Sequence, residues 1–205
     1  APVDVRAVTF SSDGVLWFAA PQGVGRRSRD GTWTLFTEHD GLPYNDFTCI
    51  ASGPSGIWFG TTNGAIQFEE GEWRFRQGRR WLVDNRANAI AIDAGGDAWI
   101  ATDAGVSRIR HTTMTLADKA AFYESEIERY HRRTEFGYVN PATLARPGDK
   151  ATAKPRFSDN DGFNTGLYLA AVSFAYATTG EERYRRQAHD AFRAPLARSG
   201  SPAVG

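Results

Sequence analysis

The densest polar cluster in the chain is Asp159-Asn160-Asp161-Gly162. Two carboxylates that close together, at a loop entering a helical run, can work as general acid and general base, one giving a proton while the other takes one. The same residues also suit a turn and a helix N-cap, in which Asp and Asn oxygens accept from the free amides of the first helical turn. Both roles fit if one Asp caps while the other faces a cavity. A calcium loop of the EF-hand kind does not fit. With Gly162 as its sixth residue, the first would be Phe157 and the twelfth Tyr168, and neither supplies a carboxylate.

A second candidate is the segment Phe75-Arg76-Gln77-Gly78-Arg79-Arg80-Trp81, with Arg74 just before it. Guanidinium groups pair with carboxylate or sulfate, and an indole face can stack on a sugar ring. Arg79, Arg80 and Trp81 are therefore candidate ligand-binding residues; the alternative is a solvated edge strand and loop. His131, within Arg129-Tyr130-His131-Arg132-Arg133, has the side chain for proton transfer and equally the position of an exposed helix-end His. His39, His111 and His189 show no metal-ligand spacing, so no metal site is expected. There is no Gly-rich phosphate loop or assembled Ser-His-Asp set, and no cofactor is implied.

The elements that must position these groups differ between the two halves of the chain. In the first half Trp17, Trp58 and Trp99 stand 41 residues apart, with Val8, Cys49 and Ile90 nine positions before them and Gly23, Gly64 and Gly105 six positions after. Short β-branched and aromatic runs separated by Gly, Asp, Ser and Asn turns are strand chemistry, and a period in the forties is that of a propeller blade. The expected inner strands are 5–10, 47–51 and 89–92, each followed by a Trp strand and a strand after the recurring Gly. Fourth strands are expected at 32–37 and 73–76, and none in the third unit. A Trp that recurs once per unit is explained by packing, whereas Trp81 has no counterpart in the register. Cys49, the sole cysteine, cannot form an intramolecular disulfide and shares its repeat position with Val8 and Ile90, which predicts a small core residue.

Gly41-Leu42-Pro43-Tyr44-Asn45, Ile57-Trp58-Phe59-Gly60-Thr61-Thr62-Asn63-Gly64 and Ile90 to Gly105 resemble the two-component-regulator propeller repeat, with Asp93 at the family's Asp and Ser11 and Ser52 replacing it elsewhere. The resemblance covers roughly residues 4 to 110. It implies an all-β propeller fold and a bacterial protein that is periplasmic or extracellular, in a family whose members range from sensor ectodomains to enzyme-attached modules. Complete propellers have ~4 to 8 blades, so three units form an incomplete ring. Missing blades, a partner chain completing the ring, or an open stack would each account for that. Truncation is the favoured expectation, because the sequence starts abruptly on an inner strand and the last unit lacks a fourth strand, leaving edges that a closed propeller hides; the Ala1-Pro2-Val3 start, with neither an initiator Met nor a signal peptide, reads as a mature or cut product.

The second half reads as helical. Leu116, Ala120, Tyr123, Ile127 and Tyr130 recur at helical spacing over 116–133, with Asp118 early, Arg132 and Arg133 late, and Glu128 four before Arg132. Asn140-Pro141 and Arg146-Pro147-Gly148-Asp149 predict a loop. The run 166–179 is apolar nearly all round and predicts a helix buried on most sides, stopped by Gly180. A partner helix over 181–193 would face Tyr184, Ala188, Ala191 and Phe192 inward and Arg185, Arg186 and His189 outward. Phe157 to Tyr176, followed by Thr179-Gly180-Glu181-Glu182 and Tyr184, resembles the start of an α/α-toroid domain of carbohydrate-active enzymes such as unsaturated glucuronyl hydrolases and polysaccharide lyases.

The expected organisation is therefore multidomain: a partial β-propeller over 1–111, an all-α helical-pair segment over 112–194, and a disordered or cut tail over 195–205. With 41% hydrophobic and 13% aromatic residues the chain can bury a core, and a net charge of zero gives no general attraction to nucleic acid. No apolar run is long enough to span a bilayer. The toroid resemblance implies binding or cleavage of an acidic polysaccharide, by a lyase or glycoside hydrolase if the whole toroid is present. Asp159 or Asp161 would then be the catalytic acid or base, with Tyr168 and Arg146 as substrate contacts. The alternatives are a non-enzymatic ligand-binding or sensor module, and an inactive fragment.

Overall fold

The computed structural model describes residues 2–199, with side chains as far as residue 194. The chain divides between Thr112 and Thr113 into two compact units. The first unit holds three antiparallel meander sheets. β1 (Ala7–Phe10), β2 (Leu16–Ala20), β3 (Gly23–Arg27) and β4 (Trp33–Phe36) pair in chain order, as do β5 (Phe47–Gly53), β6 (Gly56–Thr61), β7 (Gly64–Glu69) and β8 (Glu72–Arg76). β9 (Ala87–Ile92), β10 (Ala98–Thr102) and β11 (Gly105–Ile109) form a three-stranded sheet, β10 at its centre. The first strands β1, β5 and β9 run side by side, so the sheets follow one another in a propeller-like arrangement. Gly23, Gly64 and Gly105 open the third strands at φ 135°, 132° and 137°, a backbone region that side chains disfavour, which explains their recurrence.

One detail of the repeat differs from a rigid 41-residue register. Val8 pairs with Phe18 and Ile90 with Ile100, but the residue opposite Phe59 is Ile50, and Cys49 lies opposite Gly60. Cys49 thus matches Ala7 and Ala89, which lie opposite Ala19 and Ala101. The cause is the turn Pro54-Ser55, with Gly53 opposite Gly56, which is one residue shorter than its counterparts in the other sheets. A one-residue slip moves a strand's side chains to the other face, so the shorter turn is what puts Ile50 rather than Cys49 against the first sheet. Cys49 instead packs where Gly60 leaves room; a Cβ at Gly60 would collide with its Sγ.

The sheets pack face to face through two cores. Trp17, Ala19 and Val24 of the first sheet meet Ile57, Phe59 and Ile66 of the second, with Phe36, Phe68 and Trp73 in aromatic contact around them. Trp58 and Ala65 of the second sheet meet Ala98, Ile100 and Ile109 of the third. Trp17 and Trp58 are 5% and 0% exposed, in keeping with a packing role, but Trp99 is 40% exposed. Among the described residues no further sheet covers it. It is held instead by a 2.8 Å hydrogen bond from its Nε1 to Asp93 and by the Arg108 guanidinium over its ring.

In the second unit α1 (Leu116–Glu126) begins at a capping box of Thr115 and Asp118 and passes into a π-helical turn, Ile127–His131. Its expected apolar stripe is not buried: Leu116 and Tyr123 face solvent, and only Ile127 packs on the core of the unit. The predicted loop contains a short hairpin, β12 (Ala142–Leu144) with β13 (Ala153–Pro155). α2 (Asp161–Thr179) starts five residues earlier than its apolar run and ends on Gly180 in the left-handed region. It is buried along one stripe, Asp161, Thr165, Tyr168 and Val172, rather than on most sides; Phe163, Leu167 and Phe174 are exposed. α3 (Glu182–Ser199) lays Tyr184, Ala188 and Ala191 on that stripe, while Phe192 points to solvent, contrary to its expected inward position. Phe192 lies one residue past Ala191, and about 100° per residue turns it off the buried face. The α3 backbone continues through position 195, where the expected tail began, at the cost of the amide donor that proline lacks. Residues 200–205 of that tail lie outside the described residues.

Candidate functional site

The Arg–Trp segment lies just after β8 on a turn built to a fixed shape. Gly78, at φ 75°, donates its amide to Asn85 Oδ1 at 2.7 Å, and its carbonyl accepts from the amides of Trp81 and Leu82, each at 2.9 Å. Leu82 is buried in the core between the second and third sheets, and the Val83 amide donates to Ser107 Oγ at 2.9 Å. This anchoring leaves Trp81 at the surface. The guanidinium groups of Arg76 and Arg80 lie 4.7 and 5.3 Å from the centre of its ring. Burial, and next the neighbouring Arg74 charge, lower the pKa of Arg76. Its Nε is buried with no hydrogen-bond partner. Arg74 is paired with Glu69 and Glu72, but among the described residues no carboxylate pairs with Arg76, Arg79 or Arg80. The structure therefore brings Arg80 and Trp81 together with Arg76, with Arg79 adjacent in the chain, and among the described residues none of the three arginines has a carboxylate partner.

The two aspartates of the helical unit have separate positions. Asp161 is buried, and its carboxylate accepts from Asn140 Nδ2 at 2.6 Å and from the Ser158 amide and hydroxyl, each at 3.0 Å. Thr165 continues the network, donating to the Asp161 carbonyl at 2.7 Å and accepting from the Val139 amide at 3.0 Å. Asp161 thus ties the start of α2 to two preceding segments. Asp159 is exposed and lines a cleft of about 510 Å³ with Phe136, Tyr138, Phe157 and Thr134. Asn140 Oδ1 and Thr134 Oγ1, both of residues lining this cleft, are buried and lack partners. Asn140, Ser158 and Thr165 had not stood out in the sequence. A signal for part of the network was present: Ser/Thr-x-x-Asp, the reach-back half of a capping box, occurs at Thr37–Asp40, Thr115–Asp118 and Ser158–Asp161.

The remaining candidates are dispersed. Tyr168 is buried and donates to Glu128 Oε1 at 2.6 Å, while Arg132 pairs with the same oxygen at 2.5 Å and lies 4.8 Å from the Tyr168 ring centre. Burial, and next the hydrogen bond to Glu128, raise the Tyr168 pKa well above the usual phenol value. Arg146 is exposed and pairs with Asp149 at 2.8 Å. His131 Nδ1 lies 2.8 Å from the Asn140 carbonyl, a contact that fixes the ring beside the helical core. Burial raises the Cys49 thiol pKa, which disfavours the reactive thiolate. Among the described residues no group of three or more His, Cys, Asp or Glu side chains is placed to hold a metal ion, and no helix is long and apolar enough to cross a membrane.

No protein-family model matches the chain, and no curated protein matches it. Solved structures do. One is the extracellular domain described as that of a hybrid two-component system of B. thetaiotaomicron, at 25% identity and TM-score 0.44, covering 51% of this chain and 15% of that one. Another is virginiamycin B lyase from Staphylococcus aureus, at 19% identity and TM-score 0.40, covering 53% of this chain and 42% of the lyase. A third is PorZ, a surface component of the type-IX secretion system of Porphyromonas gingivalis, at 19% identity and TM-score 0.41, covering 51% of this chain and 18% of PorZ. This chain therefore spans less than half the length of each of these structures.

Proposed function

We propose that this chain is an extracytoplasmic ligand-binding module whose propeller-like unit holds an acidic glycan on Arg76, Arg79, Arg80 and Trp81. The observation that carries this reading is the absence of any carboxylate partner for the three arginines among the described residues, although one of them is partly buried with an unpartnered Nε. A desolvated guanidinium without a counter-ion is unfavourable, and an incoming carboxylate or sulfate relieves it through charge-assisted, bidentate hydrogen bonds. Trp81, fixed by Gly78 and Leu82, offers an indole beside those charges for a sugar ring. Titration of the chain with oligogalacturonate and with a sulfated oligosaccharide, followed by Trp fluorescence, tests the reading. Saturable binding that Arg80→Ala weakens supports it; equal binding by a neutral oligosaccharide of the same length sinks it.

A second reading rests on the cleft at Asp159. On that reading α2 and α3 are one pair of an α/α array, Asp159 is the general acid or base and Asp161 a positioning residue, because its carboxylate is already engaged by Ser158 and Asn140. Aromatic walls and unpartnered Asn140 and Thr134 oxygens favour a sugar-like occupant of the cleft. Turnover of an acidic oligosaccharide that disappears in Asp159→Asn would support catalysis; no turnover by the wild-type chain would remove this reading while leaving the Arg–Trp site standing.

A further inference from the structure

The two outer faces of the three-sheet stack share residue types with the two sides of the interface between its first and second sheets. On the inner face of the first sheet Trp17 lies opposite Arg26 and Ala19 opposite Val24, and this face packs on the second sheet. On the uncovered face of the third sheet Trp99 lies opposite Arg108 and Ala101 opposite Val106, the same four residue types in the same pairing. The agreement extends to the guanidinium, which lies 5.7 Å from the Trp17 ring centre and 5.1 Å from that of Trp99. Yet Val24 is fully buried and Val106 is 64% exposed.

The opposite end of the stack carries the matching half. The second sheet receives the first with Ile50, Ile57, Phe59, Ile66, Phe68, Trp73 and Phe75. The positions that correspond by strand pairing in the first sheet are Val8, Leu16, Phe18, Gly25, Arg27, Trp33 and Leu35, so five of the seven stay apolar while Gly25 and Arg27 stand for Ile66 and Phe68. The five apolar ones line an open groove in which Val8 and Trp33 are 60% and 58% exposed. Contiguous apolar surface of this kind marks an interaction site. Its apolar positions are in the main those of a face whose occupant is visible one sheet further on.

We propose that two copies of this chain associate head to tail, the third sheet of each packing on the first sheet of the other as the first sheet packs on the second. The chain carries both sides of the contact made by the second and third strands, while Phe36 of the fourth strand has no counterpart among the described residues of the third sheet. Such a contact is heterologous, and it forms a closed ring when the rotation permits. Two copies bring six sheets together, within the ~4 to 8 blades of closed propellers, and closure removes both exposed faces at once. This proposal is independent of the ligand assigned to the Arg–Trp cluster.

Sedimentation velocity and native mass spectrometry on the full chain over roughly 1–100 µM test it. A dimer is expected, and Val8→Asp or Val106→Asp, each exposed in the single chain, weakens it at least tenfold while the circular dichroism spectrum stays unchanged. The two variants mixed should form a heterodimer, since the Val8→Asp copy keeps an intact third sheet and the Val106→Asp copy an intact first sheet, so one contact survives. A monomer at every concentration overturns the proposal. So does a dimer indifferent to either variant, or one that mixing fails to restore.

Discussion

Trp17 and Trp99 occupy the same position on the second strand of their sheets, each paired with an arginine, yet one is 5% and the other 40% exposed. The difference comes from what lies over them. The second sheet covers Trp17 with Ile57 and Phe59, whereas no described sheet follows the third. A recurring residue thus keeps its local geometry while its burial is decided by the next repeat.

The same asymmetry predicts unequal costs for the recurring glycines. A Cβ at Gly23 or Gly64 would collide with the carbonyl oxygen of Phe36 or Arg76 on the fourth strand, whereas at Gly105 its nearest neighbour is Val83 Cγ1 at 3.8 Å. Gly23→Ala and Gly64→Ala should each destabilise by about 2–4 kcal/mol, combining backbone strain with overpacking. Gly105→Ala should cost only the strain, about 1–2 kcal/mol. Urea unfolding of the three variants measures the difference.

For the Arg–Trp cluster, Arg79→Ala and Arg80→Ala should each weaken binding of an acidic oligosaccharide by roughly ten- to a hundredfold, as expected for loss of a hydrogen bond to a charged group worth ~1.5–3 kcal/mol. Binding should weaken as salt is raised. Calorimetric titration at two ionic strengths reads both effects.

In the helical unit Asp161→Ala should destabilise by about 2–4 kcal/mol, because Ser158 and the buried Asn140 amide lose their acceptor. Asp159→Ala, at an exposed position, should change stability by no more than ~0.5 kcal/mol. Equal destabilisation by both would contradict the division of roles between the two carboxyl groups.

The two faces of α2 should differ as well. Val172 is buried against α3, and Val172→Ala should cost about 1.5–3 kcal/mol. Phe174 is 74% exposed, and Phe174→Ser should stay within ~0.5 kcal/mol. Thermal melts of the two variants compare the faces directly.

Tyr168 supplies a pH dependence. Its folded pKa is raised above the ordinary value of 10.0, so both folded and unfolded chains keep this proton below about pH 9 and stability is unaffected there. As pH rises through 10 the unfolded phenol ionises while the folded one, buried and hydrogen-bonded to Glu128, does not, and stability falls. Tyr168→Phe should lose about 1 kcal/mol at neutral pH with the hydrogen bond, and should show a shallower fall between pH 9 and 11 than the parent chain. Parallel curves for the two would exclude the linkage.

Much of the first unit was legible in the sequence because strand period, turn residues and the recurring Trp and Gly are local properties. The 41-residue spacing located the described strands of the three sheets to within a few residues. It misplaced Cys49, since spacing counts residues whereas pairing depends on the length of the Pro54-Ser55 turn. The Arg–Trp segment was visible as composition, but its lack of carboxylate partners depends on which side chains the fold brings near. In the helical unit, apolar content exaggerated the burial of α2 and missed the exposure of Leu116 and Phe192.

The sequence by itself determined the repeat, the order of strands and helices, the glycines that turn the chain and the residues able to bind or transfer protons. Tertiary structure alone decided that Trp17 and Trp58 are core while Trp99 is surface, and that Asp161 is a tether while Asp159 faces a cleft. Propensity and periodicity act between residues near in sequence, whereas burial and hydrogen-bond satisfaction depend on neighbours that only folding supplies, such as Asn140, 21 residues from Asp161.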